Sequence, residues 1–413
     1  MADYGIAIAG AGAVGMSCAL WAQMRGHQVV LLDPEPPGSG TSYGNACTLA
    51  TYACLPVNDP SVLWSLPSLM FSKDSPLSLS YAHALRNPRW MLSFLANCRS
   101  GPSQRIASHL ADLLAHADVG INPLIEAAGA QDLVVERGQL SVWSTRKAAE
   151  GATAGLERRR ALGVPWREVD PDEAYEMEPG LRLPVERAVH FHAARSLSDP
   201  LEFITRMHRA FTDLGGTTLR EPVETVRTSD TGVELQAGGQ SLTAERAVIA
   251  SGAFSKRITA AGTEHLPLGT ERGYHLMFDG EAQRVTRPVG WGEAGFYAVP
   301  HAKGLRLTGT VEIAALDAPV NRSRLDHIAR KGAEMLGPLP EPASEWLGFR
   351  PTMPDSLPVI GPSPHSDRVL YAFGHQHIGL TLGGITGRLI ADLAEGRQPN
   401  IDLAPFAADR SYA

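Results

Sequence analysis

The chain has 413 residues, 44% of them hydrophobic and 20% charged, so it can bury a large core and is neither disordered nor fibrous. Its 44 acidic and 37 basic side chains leave a net charge of −7, and the densest basic run is only Arg158 to Arg160, which argues against a nucleic-acid partner. The four cysteines, Cys18, Cys47, Cys54 and Cys98, form no C-x-x-C pair and sit at no zinc spacing, so neither disulfides nor a metal centre is expected.

Residues 3–33 read as strand, helix and parallel strand: an apolar run Tyr4 to Ala9, a glycine turn, a helical stretch Val14 to Met24 stopped by Gly26, and a second run Gln28 to Asp33. Pro34 to Asn45 is a loop rich in Pro, Gly and Ser. Residues 61–128 read as helices of a cap, with one long helix from Gln104 to Ala128. Its aromatic segments, Trp64 to Phe71 and Trp90 to Leu95, either bury over a ligand or dock on a membrane surface. Short strands and a helix fill 132–186. His190 to Ala250 then repeats a βα rhythm, with a helix opening at Asp199-Pro200, a strand from Thr217 to Val226 and hairpin strands up to Val248-Ile249-Ala250. Leu266 to Leu316 is strand-dominated and predicts an antiparallel sheet. The strand Val369 to Phe373 leads through glycines into a helix, Leu380 to Ala394, stopped by Gly396. The chain opens on an apolar strand without a basic leader, and no apolar run reaches about 18 residues, so a cytoplasmic location without a membrane span is expected. Peripheral contact with the inner membrane face stays open.

The 41 glycines cluster near the N-terminus, around residue 252 and near the C-terminus, as if backbone had to approach a ligand closely. Gly10-Ala11-Gly12-Ala13-Val14-Gly15 is a G-x-G-x-x-G turn between strand and helix, and Asp33 ends the next strand about 20 residues on. Gly10 permits the turn, Gly12 admits pyrophosphate oxygens to the helix N-terminus, and Gly15 lets helix and strand pack. Asp33 is suited to a ribose with free hydroxyls and repels a 2′-phosphate, which disfavours NADP. Ser42, Asn45 and Ala46 lie in a second loop fit to wrap a long cofactor, and Ser251-Gly252 follows another strand. Gly374 to Gly379 runs from a strand into a helix N-terminus, with Leu380 and Thr381 in its first turn, where partial positive charge would stabilise a reduced flavin.

These residues resemble the FAD-dependent D-amino-acid oxidase superfamily, and within it the bacterial D-amino-acid dehydrogenases. The resemblance rests on Ile8 to Gly15, Thr41 to Ala46, Arg272-Gly273-Tyr274, Gly348 to Asp355 with Pro358 to Gly361, and Gly374 to Thr381. It implies an α/β fold: a Rossmann-like FAD-binding domain (1–60, 187–262, 345–413) interleaved with a substrate-binding or cap domain on an antiparallel or mixed sheet (61–186, 263–344). It adds Pro34 and Val223 to the cofactor set.

The resemblance also implies oxidative deamination of a D-amino acid, a cyclic one such as D-proline or hydroxyproline included, by hydride transfer from Cα to the flavin. Glycine or sarcosine oxidation is the alternative within the same chemistry; a tRNA-modifying or a non-catalytic flavoprotein is a further one. Arg350 is the expected carboxylate anchor, because its planar fork fits a carboxylate bidentately; the competing reading pairs it with Asp355 as a structural clamp. Tyr274 is expected to reach the substrate carboxylate and His377 to lie beside the substrate, with His375 a loop residue. Asn45 stands where several relatives carry a flavin-tethering histidine, so FAD is expected to be noncovalent and Cys47 a packed thiol. The electron acceptor (oxygen, a quinone or a partner protein) is not specified by the sequence.

Overall fold

Strand Tyr4–Ala9 is buried over its last four residues because parallel strands flank it, Val29–Leu32 on one side and Gln240–Ile249 on the other. The structure, a computed structural model, describes residues 2–63, 77–79 and 85–412; Trp64, Phe71 and Tyr81 of the expected cap lie outside these. Outward from this centre, Thr217–Leu219 pairs in parallel with Val29–Leu32. On the edge away from Tyr4–Ala9, the ten-residue strand Gln240–Ile249 serves two further neighbours, the antiparallel Gly232–Ala237 along its first half and the parallel Ser366–Phe373 along its second. Val223–Ser229 and Val359–Ser363 end the two branches beyond Gln240–Ile249, and Thr217–Leu219 forms the opposite edge of this eight-stranded sheet. The expected single strand Thr217 to Val226 is therefore two, broken at Arg220-Glu221-Pro222, where proline lacks the N–H a ladder needs.

A second, nine-stranded mixed sheet runs Ser344–Thr352, Gly269–Asp279, Gly304–Ile313, Phe296–His301, Val289–Trp291, Gln139–Trp143, Arg187–Phe191, Arg167–Val169, with Leu77–Leu79 added parallel to Gly304–Ile313. Most of its pairs are antiparallel, as the strand-rich stretch predicts; Val289–Trp291 and Gln139–Trp143 are parallel. Arg187–Phe191 and Ser344–Thr352 belong to this sheet, so the segments drawn from 187 and from 345 as parts of the cofactor domain begin with strands of the other sheet.

The long helix expected from Gln104 to Ala128 is two, Ser100–Leu114 and Ala117–Ala127. Neither is a cover. Ile106, Leu110, Leu113, Ile121 and Leu124 join one apolar core with the first helix, Ala13–Met24, and the C-terminal helix, Gly379–Ala394. The C-terminal helix is buried nearly all round, and its glycines explain how. A Cβ at Gly384 would stand 2.6 Å from backbone atoms of Gly120 and Ile121, and one at Gly387 would stand 2.6 Å from the backbone of Ser17. Glycine inside a helix costs roughly 0.5–1 kcal/mol relative to alanine, and here that cost is offset by two backbone-to-backbone crossings packed without voids. Part of the C-terminal glycine cluster thus serves helix packing.

Further along, Trp90 and Phe94 stack at 5.3 Å with both rings buried, whereas Leu92 of the same helix, Pro88–Asn97, is exposed. No helix among the described residues is long and apolar enough to cross a membrane.

Candidate active site

An elongated cavity of about 660 Å³ runs from the Gly10–Val14 turn, between the two sheets, to Arg350 and Tyr297. At its first end the strand Tyr4–Ala9 stops at Gly10, whose φ of +109° only glycine adopts readily, and whose missing Cβ leaves room for the Ala250 carbonyl 2.5 Å from where it would stand. Gly12 is the N-cap of Ala13–Met24 and supplies no side-chain cap, so first-turn N–H groups open towards the cavity. Ser42 Oγ accepts one of them, Ala13 N–H, at 2.8 Å, which fastens the second loop to the turn. Asp33 is fixed by two backbone donors, Ala11 N–H at 2.7 Å and Glu35 N–H at 2.9 Å, and still lines the cavity. Gly15 does not line it: a Cβ there would sit 1.9 Å from the Gly10 carbonyl oxygen, so its task is to let helix and turn touch.

Ala11, Ala13, Val14, Pro34, Asn45, Ala46, Val223, Ser251, Gly252, Gly379 and Leu380 also line this cavity. Residues far apart in sequence are thus brought to one wall. Besides Gly15, two expected contacts are not among them. Gly374, at φ +86°, turns the chain beside Met353, and Thr381 uses its hydroxyl to accept Ala50 N–H at 2.9 Å. The helix Gly379–Ala394 nevertheless presents its uncapped N-terminus to the cavity at Gly379 and Leu380. The loop of Asn45 is held from below by Arg306, a residue not singled out from sequence, whose Nη1 donates to the carbonyls of Tyr43 and Asn45. Cys47 lies off the cavity, fully buried, and burial pushes its thiol up to about 11.

At the far end Arg350 reaches across its neighbouring strand. Gly273 makes this possible: a Cβ there would be 2.4 Å from Arg350 Nη2. Arg350 Nη1 donates to the Thr310 carbonyl at 3.1 Å, and Thr310 holds a left-handed φ of +55° at a bulge where the ladder between Gly269–Asp279 and Gly304–Ile313 shifts register. The clamp reading of Arg350 fails, because the Asp355 carboxylate is taken by Arg410 at 2.7 and 3.0 Å. Among the described residues no carboxylate forms an ion pair with Arg350, so its guanidinium faces the cavity with donors to spare. Burial lowers its pKa and the nearby Glu271 charge raises it.

His377 presents its ring to the cavity while protein crowds it elsewhere; that crowding, and then the Arg350 charge, push its imidazole down to about 4. His375 is buried, with Nε2 2.9 Å from the Thr386 hydroxyl, and burial pushes it to about 3. Burial favours the neutral form of His375, and crowding together with the Arg350 charge favours it for His377. Tyr52, Tyr297, Val57 and Val311 supply the rest of this end, together with Thr308 and Thr310. None of the six was singled out from sequence.

Tyr274 is a correction. It is fully buried on the opposite face of its strand, donating to Glu312 Oε2 at 2.5 Å and accepting from Asn321 N–H at 3.2 Å, and it does not line the cavity. Side chains alternate along a strand, so Gly273 faces the cavity while Arg272 and Tyr274 turn away together onto Glu312.

The glycine turn, the oriented Asp33 and the uncapped helix ends fit a long phosphate-bearing cofactor by shape and donor chemistry. Comparison with known proteins agrees. Residues 5–393 match the family described as FAD dependent oxidoreductase. The chain is 34% identical over 423 residues to the D-amino-acid oxidase of Bradyrhizobium diazoefficiens, covering 98% of each chain. It is 27% identical over 421 residues to a D-amino acid dehydrogenase of Cereibacter sphaeroides, covering 99% of this chain and 95% of the other. Among solved structures, the glycine oxidase of Geobacillus kaustophilus shares the fold at a TM-score of 0.78 and 24% identity over 100% of both chains. The chain therefore belongs to the FAD-dependent oxidoreductase family of the D-amino-acid oxidases.

Proposed function

We propose that the protein oxidises a D-amino acid with an uncharged side chain to the imine, which water converts to the 2-oxo acid and ammonia. The observation that carries this reading is Arg350, a cation without an ion-pair partner among the described residues, opening onto the same cavity as the Gly10–Val14 turn. The relatives named D-amino-acid oxidase and D-amino acid dehydrogenase support the D-configuration.

When bound, FAD supplies the acceptor for the hydride that leaves Cα as the Cα–N bond becomes a C=N bond. Gly10, Gly12 and the first turn of Ala13–Met24 would hold its pyrophosphate, Asp33 its ribose, and the N-terminus of Gly379–Ala394 its ring end. Arg350 binds the substrate carboxylate through its fork and so fixes the rotation of Cα, which positions the C–H bond. His377, being neutral, adds no second cation to repel an ammonium. Tyr52, Tyr297, Val57 and Val311 surround the side chain without offering it a charge, which suits alkyl, aromatic or cyclic groups, D-proline included. We further propose that FAD is noncovalent: no histidine lies in the loop from 42 to 48, and Cys47 is buried under Arg306, away from the cavity. Acid precipitation should release all the flavin into the supernatant.

The test is anaerobic bleaching of the flavin spectrum by a panel of D- and L-amino acids, glycine and sarcosine. Neutral D-amino acids should reduce it fastest. Reduction by L-amino acids or sarcosine alone would overturn the assignment. Repeating the reaction with oxygen and with a dye separates oxidase from dehydrogenase behaviour.

A further inference from the structure

Glu271 is fully buried in the strand Gly269–Asp279, and among the described residues neither of its carboxylate oxygens makes a hydrogen bond of ordinary geometry, although the Thr352 hydroxyl approaches it. It is paired in register with Arg350 on the adjacent strand. Side chains of directly opposed residues project from the same face of a sheet, so carboxylate and guanidinium start from neighbouring Cβ atoms. They do not join as an ion pair, because Arg350 leans away over Gly273 to the Thr310 carbonyl. A second orphan lies on the same face: the indole Nε1–H of Trp90 has no acceptor among the described residues and would be 2.7 Å from a Cβ at Gly269, two residues before Glu271. A buried acceptor is thus left beside Arg350, and a buried donor two residues along the same strand face. Unsatisfied buried polar groups are costly enough that native proteins keep few of them without a use.

We infer that Glu271 is a specificity-determining charge that makes the site select amino acids over plain carboxylic acids. This rests on the reading of Arg350 as the carboxylate anchor. Arg350 alone would give the cavity one positive charge, which any carboxylate satisfies. With Glu271 behind it the pair sums to zero, so a bare carboxylate brings an uncompensated negative charge into a poorly solvated cavity. An amino acid carries its own ammonium and enters as a neutral whole. Burial raises the Glu271 pKa, and the Arg350 charge and the Thr352 hydroxyl offset part of that rise by favouring the carboxylate.

The experiment titrates D-alanine and its deaminated counterpart, propanoate, into the FAD-bound protein. D-alanine is scored by KM and kcat, propanoate by its competitive inhibition constant and the shift it causes in the flavin spectrum. The unaltered protein should prefer D-alanine over propanoate at least tenfold; equal affinity overturns the inference. Glu271→Gln should lower the ratio of the propanoate inhibition constant to the D-alanine KM at least tenfold by tightening propanoate. General damage to the site would weaken both ligands together, and that result, or an unchanged ratio, also overturns it. Glu271→Asp, which keeps the charge, should retain the original preference. Arg350→Ala separates the two claims: if it weakens both ligands but Glu271→Gln leaves their ratio alone, only the Glu271 inference falls. If Arg350→Ala leaves both unchanged, the anchor reading itself fails.

Discussion

Gly273 lies directly under the guanidinium of Arg350, with only 2.4 Å between Nη2 and the place where a Cβ would be. The absent side chain lets an arginine from one strand cross the next and aim into the cavity. Gly273→Ala should therefore push Arg350 aside without disturbing the distant turn at Gly10. A rise in KM of about tenfold or more with flavin content unchanged is the expected outcome, in the usual range of overpacking effects of roughly 1–3 kcal/mol. A KM within twofold of the parent would show that the guanidinium is placed by something else.

Removing the anchor altogether is more severe. Hydrogen bonds to a charged group are worth about 1.5–3 kcal/mol each, so Arg350→Ala should lower kcat/KM by at least about a hundredfold, chiefly through KM. Arg350→Lys should recover only part of the loss, because a point charge cannot reproduce the fork. Steady-state kinetics on the flavin-loaded variants measure both.

Tyr274→Phe should behave as a stability variant. Among the described residues its hydroxyl bonds to Glu312 and Asn321 N–H, which brace the Ala318 and Pro319 segment that Arg272 also holds. A loss of about 1–2 kcal/mol in denaturant unfolding is expected, with KM changed less than threefold. A large KM effect without loss of stability would return Tyr274 to the substrate.

The buried histidines fix a pH dependence. His275 and His375 are both held near 3 by burial, against an ordinary value of 6.5. In the unfolded chain they take up protons as pH falls through about 6.5 while the folded protein does not, so the unfolded state binds more protons and stability drops on acidification. Each contributes up to about 1.4 kcal/mol per pH unit between roughly 6.5 and 3. Denaturation midpoints measured from pH 7 to pH 5 should fall steadily; a flat profile would mean that these rings gain protons in the native state. Because His377 is held to about 4, it should also place no inflection near 6.5 in the profile of kcat/KM.

The dinucleotide end was legible because local rules decide it: a strand, a glycine turn, a helix and an acidic residue lie within about 30 positions. Arg350 was legible only through its motif, and Tyr274 in the motif beside it was misplaced because adjacent strand residues face opposite ways. Thr310, Tyr297 and Glu271 left no signal of their own. Their meaning depends on which strands become neighbours, and on a register shift between Gly269–Asp279 and Gly304–Ile313 that no short window of sequence encodes. Of the C-terminal glycines only Gly374 and Gly379 carry a sequence signal towards the cofactor, and Gly384 and Gly387 face helices, since composition does not distinguish approach to a ligand from approach to backbone.

The helix Gly379–Ala394 is wedged between Ala13–Met24 and Ala117–Ala127, although it follows both by more than 250 residues. During synthesis, the first helix emerges from the ribosome with its Ser17 face bare and waits for nearly the whole chain before its partner exists. The helix end that closes this part of the cavity is the last of its walls to be made, so the cavity is complete only when synthesis is nearly over.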